Sequence, residues 1–279
     1  MILIRLMNEM PLWLTVIIVV AVAELYSVGL MLLCRLTWGR DRLSLNNEVA
    51  GFKFSVIGVL YAVLLGFVVI AVWEDYRNTE TAVRNEAKAI ADLTQISYAL
   101  PQPGGSGIRA PLLDYAEEVR RSEWPAMARG VPSEKATHAL AHLSEAIFDL
   151  QIEQLRDLAL YQQALRLLGV IEDNRNERLD SADGSVPSIL WLVLIAGGMI
   201  TLGYPAFFGS SNLVAQTLMT ATLAALVALA LLPAVLLDFP FTGDVTISSA
   251  PFDQALHQMP PHLKGHPPPE SASPPPPPP

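Results

Sequence analysis

The chain has 279 residues, 52% of them hydrophobic and 16% charged, whereas a soluble domain carries about 25% charged residues. That balance excludes an ordinary soluble globular protein. A net charge of −9 excludes a generally basic nucleic-acid binder, and the single Cys34 excludes an intrachain disulfide framework.

After an N-terminal tail (1–11) comes the first of four apolar runs: Leu12–Leu33, Phe54–Trp73, Ile189–Phe208 and Leu213–Leu237. They hold 22, 20, 20 and 25 residues and contain one charged residue, Glu24. A bilayer-spanning helix needs roughly 20 apolar residues at 1.5 Å each, so four transmembrane helices are expected. Ala21-Val22-Ala23 looks like a signal-peptidase site. The apolar stretch nevertheless runs on through Leu33, which is long for a signal peptide, so the run is read as an uncleaved helix.

Between the first two helices (12–73) lies a short loop, Arg35–Gly51, in which Asn46-Asn47 reads as a turn or cap. A polar insert, 74–187, follows helix two with 12 Lys/Arg and 19 Asp/Glu. Val83, Ala87, Ile90 and Leu93 recur at helical steps, and neither Pro nor Gly lies between Gly66 and Leu100, so helix two is expected to continue into the insert. Pro101 to Gly105 stops it. Leu112, Tyr115, Ala116 and Val119 mark a second helix ending near Gly130. Ser133 can cap a third, with Ala136, Leu140, Leu143, Ile147 and Leu150 inward. Leu155, Leu158, Leu165, Leu168 and Ile171 mark a fourth. Four amphipathic helices bury their stripes best as a bundle. Gly209-Ser210-Ser211-Asn212 joins the last two spans (188–237) as a hairpin. A post-membrane segment (238–259) and a Pro-rich, extended, disordered tail (260–279) close the chain. The fold class is thus all-α: a polytopic membrane protein with a helical-bundle insert.

Several residues carry more specific expectations. Glu24 sits mid-span, where an ionised carboxylate is expensive; it marks an ion or proton path, or a protonated structural carboxyl. Ser55, Gly58, Ala62 and Gly66 form a small-residue face suited to close helix packing. Gly197, Gly198, Gly203 and Pro205 make helix three bendable, and Pro233 does so for helix four. His138 and His142 are four apart on one helix with no evident further ligands, and His257, His262 and His266 lie where no metal geometry is pre-formed. No metal and no cofactor is expected. Nothing resembles a catalytic triad, phosphate loop or paired-carboxylate site, so an enzyme is not expected.

Helix two and its exit read Tyr61-Ala62-Val63-Leu64-Leu65-Gly66-Phe67, then Val72-Trp73-Glu74-Asp75-Tyr76-Arg77-Asn78. The chain after helix four reads Leu237-Asp238-Phe239-Pro240-Phe241-Thr242-Gly243-Asp244. This pairing resembles the bestrophins, which are anion channels. A closer resemblance is to bacterial bestrophin-like membrane proteins of unknown function. It is carried by Asn46-Asn47, Glu86-Ala87, Glu123-Trp124-Pro125, Arg175, Arg178-Leu179, Pro187 and Leu190-Trp191. The resemblance implies a symmetric homo-oligomer, a pentamer in bestrophins, with helix two lining the pore. It also implies a cytoplasmic insert. By density of basic residues the short loop points inward, and by count the insert does, so the charge pattern leaves sidedness open. The orientation implied by the resemblance puts the insert and both termini in the cytoplasm of a bacterium, with the spans in its inner membrane.

Phe67 matches the phenylalanine that narrows the bestrophin pore, and Leu60, Val63 and Ile70 share its helical face. Such a ring can gate by dewetting; the alternative is a face toward lipid or a neighbouring helix. Asp238, Pro240, Phe241, Gly243 and Asp244 match the segment after the last bestrophin span, with Phe241 expected to plug an apolar gap. The acidic run that binds calcium in animal bestrophins is replaced by Val245-Thr246-Ile247-Ser248, too few carboxylates for a hard cation. Three functions stay open: an oligomeric channel for inorganic anions, a non-conducting scaffold or sensor whose helical domain binds a partner, and a proton-coupled carrier using Glu24. The lipid bilayer is a partner in all three.

Overall fold

The computed structural model describes residues 10–151 and 154–259, and every regular element among them is helical. In order these are α1 (Leu12–Trp38), α2 (Arg40–Ser44), α3 (Asn47–Ala99), α4 (Gly104–Gly107) and α5 (Arg109–Glu118). A π-helical turn (Val119–Glu123) follows, then α6 (Trp124–Met127), α7 (Glu134–Phe148) and α8 (Leu155–Asp180). After a 3₁₀ turn (Ser181–Asp183) come α9 (Ser188–Gly203), a second 3₁₀ turn (Tyr204–Phe207), α10 (Leu213–Leu237) and α11 (Ala250–Gln258). Four helical stretches, Leu12–Trp38, Asn47–Ala99, Asp157–Phe207 and Leu213–Leu237, hold segments long and apolar enough to cross a membrane. The chain is an all-α, polytopic membrane protein with four transmembrane helices and a helical insert. The tail from 260 onward, with His262 and His266, lies outside the described residues.

Helix α3 keeps one course for 53 residues, about 80 Å at 1.5 Å per residue. Its sequence offers no proline and, beyond Gly66, no glycine to interrupt it. The connection expected as the loop Arg35–Gly51 is instead largely helical. α1 runs to Trp38, Gly39 turns the chain at φ 76°, and α2 fills most of the gap before α3. Only a residue without Cβ adopts that φ cheaply. The third span is shorter as an α-helix than its apolar run, because α9 ends at Gly203 and a 3₁₀ turn containing Pro205 completes it.

The chain divides into two compact units. The first comprises residues up to Thr79 and Asp180–Ile247, and the second Glu80–Leu179 and the chain from Ser248. In the first unit α3 packs with Tyr61, Leu65, Val68 and Val72 against Trp191 and Leu194 of α9 and Ala234, Val235 and Leu237 of α10. α1 meets α9 and α10 through Ala23, Leu202, Ala224 and Ala228, where alanines let helices approach closely. The glycines of α9 act the same way. A Cβ on Gly197 would stand 2.9 Å from the Tyr61 ring, and one on Gly198 3.0 Å from its hydroxyl. That hydroxyl donates to the Leu194 carbonyl at 3.3 Å. Gly197 and Gly198 therefore sit within α9 as seats for a tyrosine.

The α9–α10 hairpin is fixed by side chains from the other end of the sequence. The Asn47 amide donates to the Gly209 carbonyl at 2.7 Å and accepts from the Gly209 N–H at 3.0 Å. Arg35 donates to the Ser210 carbonyl at 3.0 Å and to Gln216 at 2.9 Å.

The second unit is built from amphipathic stripes. α3 buries Ala82, Val83, Glu86, Ile90 and Leu93; α5 buries Leu112, Tyr115 and Ala116; α7 buries Ala136, Leu140, Leu143 and Ile147. Ser133 caps α7 by accepting from the Ala136 N–H at 3.5 Å. In α8 the expected stripe needs correction. Leu155 and Leu158 are exposed, and the buried face is Ala164, Leu167, Leu168, Ile171, Arg175 and Arg178. The second helix of the insert is also not a plain α-helix. Pro125 has no N–H and cannot continue the α pattern. The Trp124 N–H reaches back five residues to Val119, making the π turn.

Gly209 tests the hairpin clamp. A Cβ there would lie 2.5 Å from the Ser44 nitrogen and 2.7 Å from the Arg40 carbonyl oxygen, both backbone. Gly209→Ala is expected to destabilise the protein by about 1–3 kcal/mol, read as a lowered melting temperature of the detergent-solubilised protein. Gly169→Ala, inside α8 with no atom near the new methyl, should not lower it and gains up to about 1 kcal/mol of helix propensity.

Candidate functional site

The residues expected to form a gate lie together on one side of α3. Leu60, Val63, Phe67 and Ile70 are all exposed in the chain, from 52% at Val63 to 69% at Phe67. The face that packs inside the chain, Tyr61, Leu65, Val68 and Val72, lies on the opposite side of the helix, as their sequence offsets require at 100° per residue. Between the two faces, Ser55, Ala62 and Gly66 are exposed and Gly58 half-buried, with no atom within 4 Å of a Cβ built on either glycine. Among the described residues, then, both the face expected to form a gate and the small-residue face of α3 stay largely uncovered, with Leu60 and Phe67 bordering grooves toward α9.

Glu24 is on α1, half-buried, with no hydrogen bond or ion pair to another described residue. Its neighbours on α1 are engaged: Ser27 donates to the Leu202 carbonyl at 2.6 Å and Tyr26 to that of Met199 at 3.2 Å.

The segment after α10 is organised by Asp238, which has no exposed surface. Its Oδ1 accepts the N–H groups of Ser185 (3.0 Å) and Val186 (2.8 Å), and its Oδ2 accepts the Trp191 indole N–H at 3.0 Å. Burial pushes the carboxyl above its ordinary value, while the Val186, Trp191 and Ser185 donors pull it back. All these contacts are donors, so they suit the ionised form. Gly184 (φ 92°) lets the chain pass here, since a Cβ would meet the Phe239 ring at 3.1 Å. Phe239 joins the apolar core of this unit and Phe241 is buried. Pro240 is buried, Gly243 takes φ 75°, and exposed Asp244 accepts the Leu12 N–H at 2.7 Å, placing a carboxylate at the positive end of α1.

The insert contains a buried ionic network. Arg178 of α8, with no exposed surface, donates from Nε (2.8 Å) and Nη2 (3.0 Å) to Glu86 of α3, and from Nη2 to Glu123 at 2.7 Å. Arg175, one turn earlier, donates to Glu123 at 2.5 Å and to Thr137 at 2.8 Å. Tyr115 donates to Glu86 at 2.6 Å. The Arg178 guanidinium also lies 5.4 Å from the Trp124 ring centroid and 5.7 Å from that of Phe252. Burial would raise the Glu123 carboxyl, but Arg178 and Arg175 outweigh it and hold the group below its usual range. Burial and the adjacent Glu86 carboxylate push the Tyr115 hydroxyl well up, so it serves as a donor.

Glu86, Glu123, Arg175 and Arg178 enter the sequence reading only as pattern residues, and the structure brings them into one cluster. The signal was available: Glu86 falls three residues after Val83 on the apolar stripe, and Arg178 seven after Ile171. His138 and His142 line a shallow cavity with Asp114, Glu117 and Glu118. Among the described residues no group of three His, Cys, Asp or Glu side chains is arranged to hold a metal ion.

A family model for the bestrophin-like domain matches residues 21–252. No curated protein sequence matches the chain significantly. Solved structures do. A variant of a bacterial bestrophin homologue from Klebsiella pneumoniae is 15% identical, with TM-score 0.65 over 88% of this chain and 99% of that one. A zinc-phased structure of a Klebsiella pneumoniae homologue gives TM-score 0.64 at the same identity and coverage. At this identity the likeness establishes the fold.

Glu123→Gln leaves two buried guanidinium groups under-compensated and is expected to lower stability at pH 7 by about 3–5 kcal/mol. Because the folded Glu123 carboxyl lies below its ordinary 4.5, the stability it contributes is present above that pH and lost as pH falls through the lower, folded value. The gap between wild type and Glu123→Gln should therefore narrow below about pH 4.5 in thermal unfolding of the solubilised protein. Asp238→Asn turns an amide donor toward N–H donors and should destabilise by about 1–3 kcal/mol, with altered Trp191 fluorescence reporting the lost indole contact.

Proposed function

The chain belongs to the bestrophin-like family, and on that premise we propose that it is a homo-oligomeric anion channel of a bacterial inner membrane, with α3 lining the conduction axis. The observation that carries this reading is the division of α3 into three faces. One packs inside the chain, a second is small and free, and a third, with Leu60, Val63, Phe67 and Ile70, is large, apolar and exposed. Small residues suit close packing against a second copy, without which their methyl and backbone surface gains nothing. Close packing there turns the larger face toward a shared axis. A ring of Phe67 side chains excludes water from a narrow pore and gates it. A pentamer, as the bestrophin resemblance implies, makes five such rows. In this reading the insert and both termini are cytoplasmic.

A carrier reading draws on one observation, the half-buried Glu24 without a hydrogen-bond partner among the described residues. Proton-coupled uptake unchanged in Glu24→Gln would remove it.

The channel reading is tested by flux from liposomes holding the purified protein, comparing chloride, nitrate and potassium. Anion-selective flux that rises or loses its gating in Phe67→Ala is expected. A monomeric stoichiometry, or no flux from a folded oligomer of either protein, overturns the reading and leaves the scaffold or sensor role.

A further inference from the structure

A cavity of about 480 Å³ opens where α1, α2, α3 and the Tyr204–Phe207 turn meet, within the roughly 300–1,000 Å³ of small-ligand sites. From its geometry we infer that it binds the phosphate headgroup of an anionic phospholipid.

Its lining separates into a charged part and an aromatic part. Arg42 of α2 and Lys53 of α3 both line it, with the Asn46 amide between them in sequence. Neither cation has an ion pair or hydrogen bond to another described residue, and no acidic side chain lines the cavity. The nearby Asp41 is engaged by Arg40 at 2.8 Å. Two cations brought into one concavity repel each other unless an anion joins them, and a phosphate diester supplies one charge and several acceptor oxygens. The aromatic part is built of rings packed on one another. Trp38 stacks on Phe207 with centroids 6.0 Å apart, and Tyr204 meets Phe207 edge-on at 5.8 Å. These rings give the glycerol and first methylenes of a lipid an apolar wall.

Position selects the lipid over a soluble phosphate. Trp38 ends α1, Lys53 directly precedes the apolar run of α3, and Tyr204 and Phe207 follow the last turn of α9. All therefore stand at the ends of membrane spans, the level at which Trp and Tyr anchor and the lipid phosphates of either leaflet lie. Charge selects among lipids. Phosphatidylcholine brings its own cation to a site already holding two, whereas phosphatidylglycerol brings only the anion.

The test is native mass spectrometry of the full chain in detergent with added phosphatidylglycerol or phosphatidylcholine. Phosphatidylglycerol should be retained preferentially. The double variant Arg42→Gln/Lys53→Gln should weaken that retention about tenfold or more, and Lys88→Gln, an exposed lysine of α3 outside the cavity, should not. Both altered side chains are exposed, so the double variant should keep its melting temperature without lipid. Equal retention of the two lipids, or undiminished phosphatidylglycerol binding by the double variant, overturns the inference. Displacement of the lipid by millimolar inorganic phosphate in wild type also overturns it, assigning the two cations to a soluble anion.

Discussion

Arg178 has no exposed surface, and a guanidinium keeps its proton under all conditions in which a protein folds. Its burial therefore obliges the surrounding helices to deliver negative charge at fixed positions. Glu86 comes from α3, Glu123 from the π turn, and Arg175 one turn before Arg178 must share Glu123 with it. A one-residue slip of α8 would rotate both arginines by about 100° away from these partners. Such networks contribute little net stability over well-packed apolar residues, yet removing one member leaves a bare buried charge. In a slipped register of α8 both arginines would be buried without these counter-ions, a cost that the apolar stripes alone, rich in interchangeable Leu and Ala, would not impose.

The same obligation recurs in the membrane unit with backbone groups in place of arginine. The chain between α8 and α9 must turn, which frees the N–H groups of Ser185 and Val186 from helical pairing, and Asp238 accepts both. The α9–α10 hairpin frees the N–H and carbonyl of Gly209, and Asn47 meets both at once. In each case a polar side chain at the end of one span satisfies the connection between others. Apolar side chains hold the spans side by side; these few polar ones fix their ends.

Much of this was legible in sequence, because apolar length and period survive any tertiary context. The four spans, the passage of α3 into the insert and the Ser133 cap all rest on such local signals. What was hidden depends on partners distant in the chain. Leu155 and Leu158 fit the helical rhythm of α8, yet they are exposed and Arg175 and Arg178 are buried, since a charge qualifies for a core only when its counter-ions are known. The π turn was hidden because Pro125 announces an interruption without saying whether the helix breaks or widens. The small residues Gly197 and Gly198 read as bends, but their meaning lies in Tyr61, more than a hundred residues away. The outer faces of α3 are a different case: among the described residues no helix covers them.

The position of Glu24 bears on the electrostatics of any path along α3. A ring of carboxylates around a pore repels anions, so a mid-span acid facing the pore would oppose an anion channel. Glu24, however, belongs to α1, whose adjoining residues Ala23, Tyr26 and Ser27 engage α9 and α10. The face proposed as a gate lies on a different helix, α3, which presents only apolar side chains at Leu60, Val63, Phe67 and Ile70. An axis built from copies of that face would carry no fixed charge between Lys53 and Glu74. Selectivity would then come from desolvation and from charges beyond the constriction. A carboxylate on α1 opposes an anion path on α3 only as far as it is ionised and close to that path, since its field falls with distance and with neutralisation.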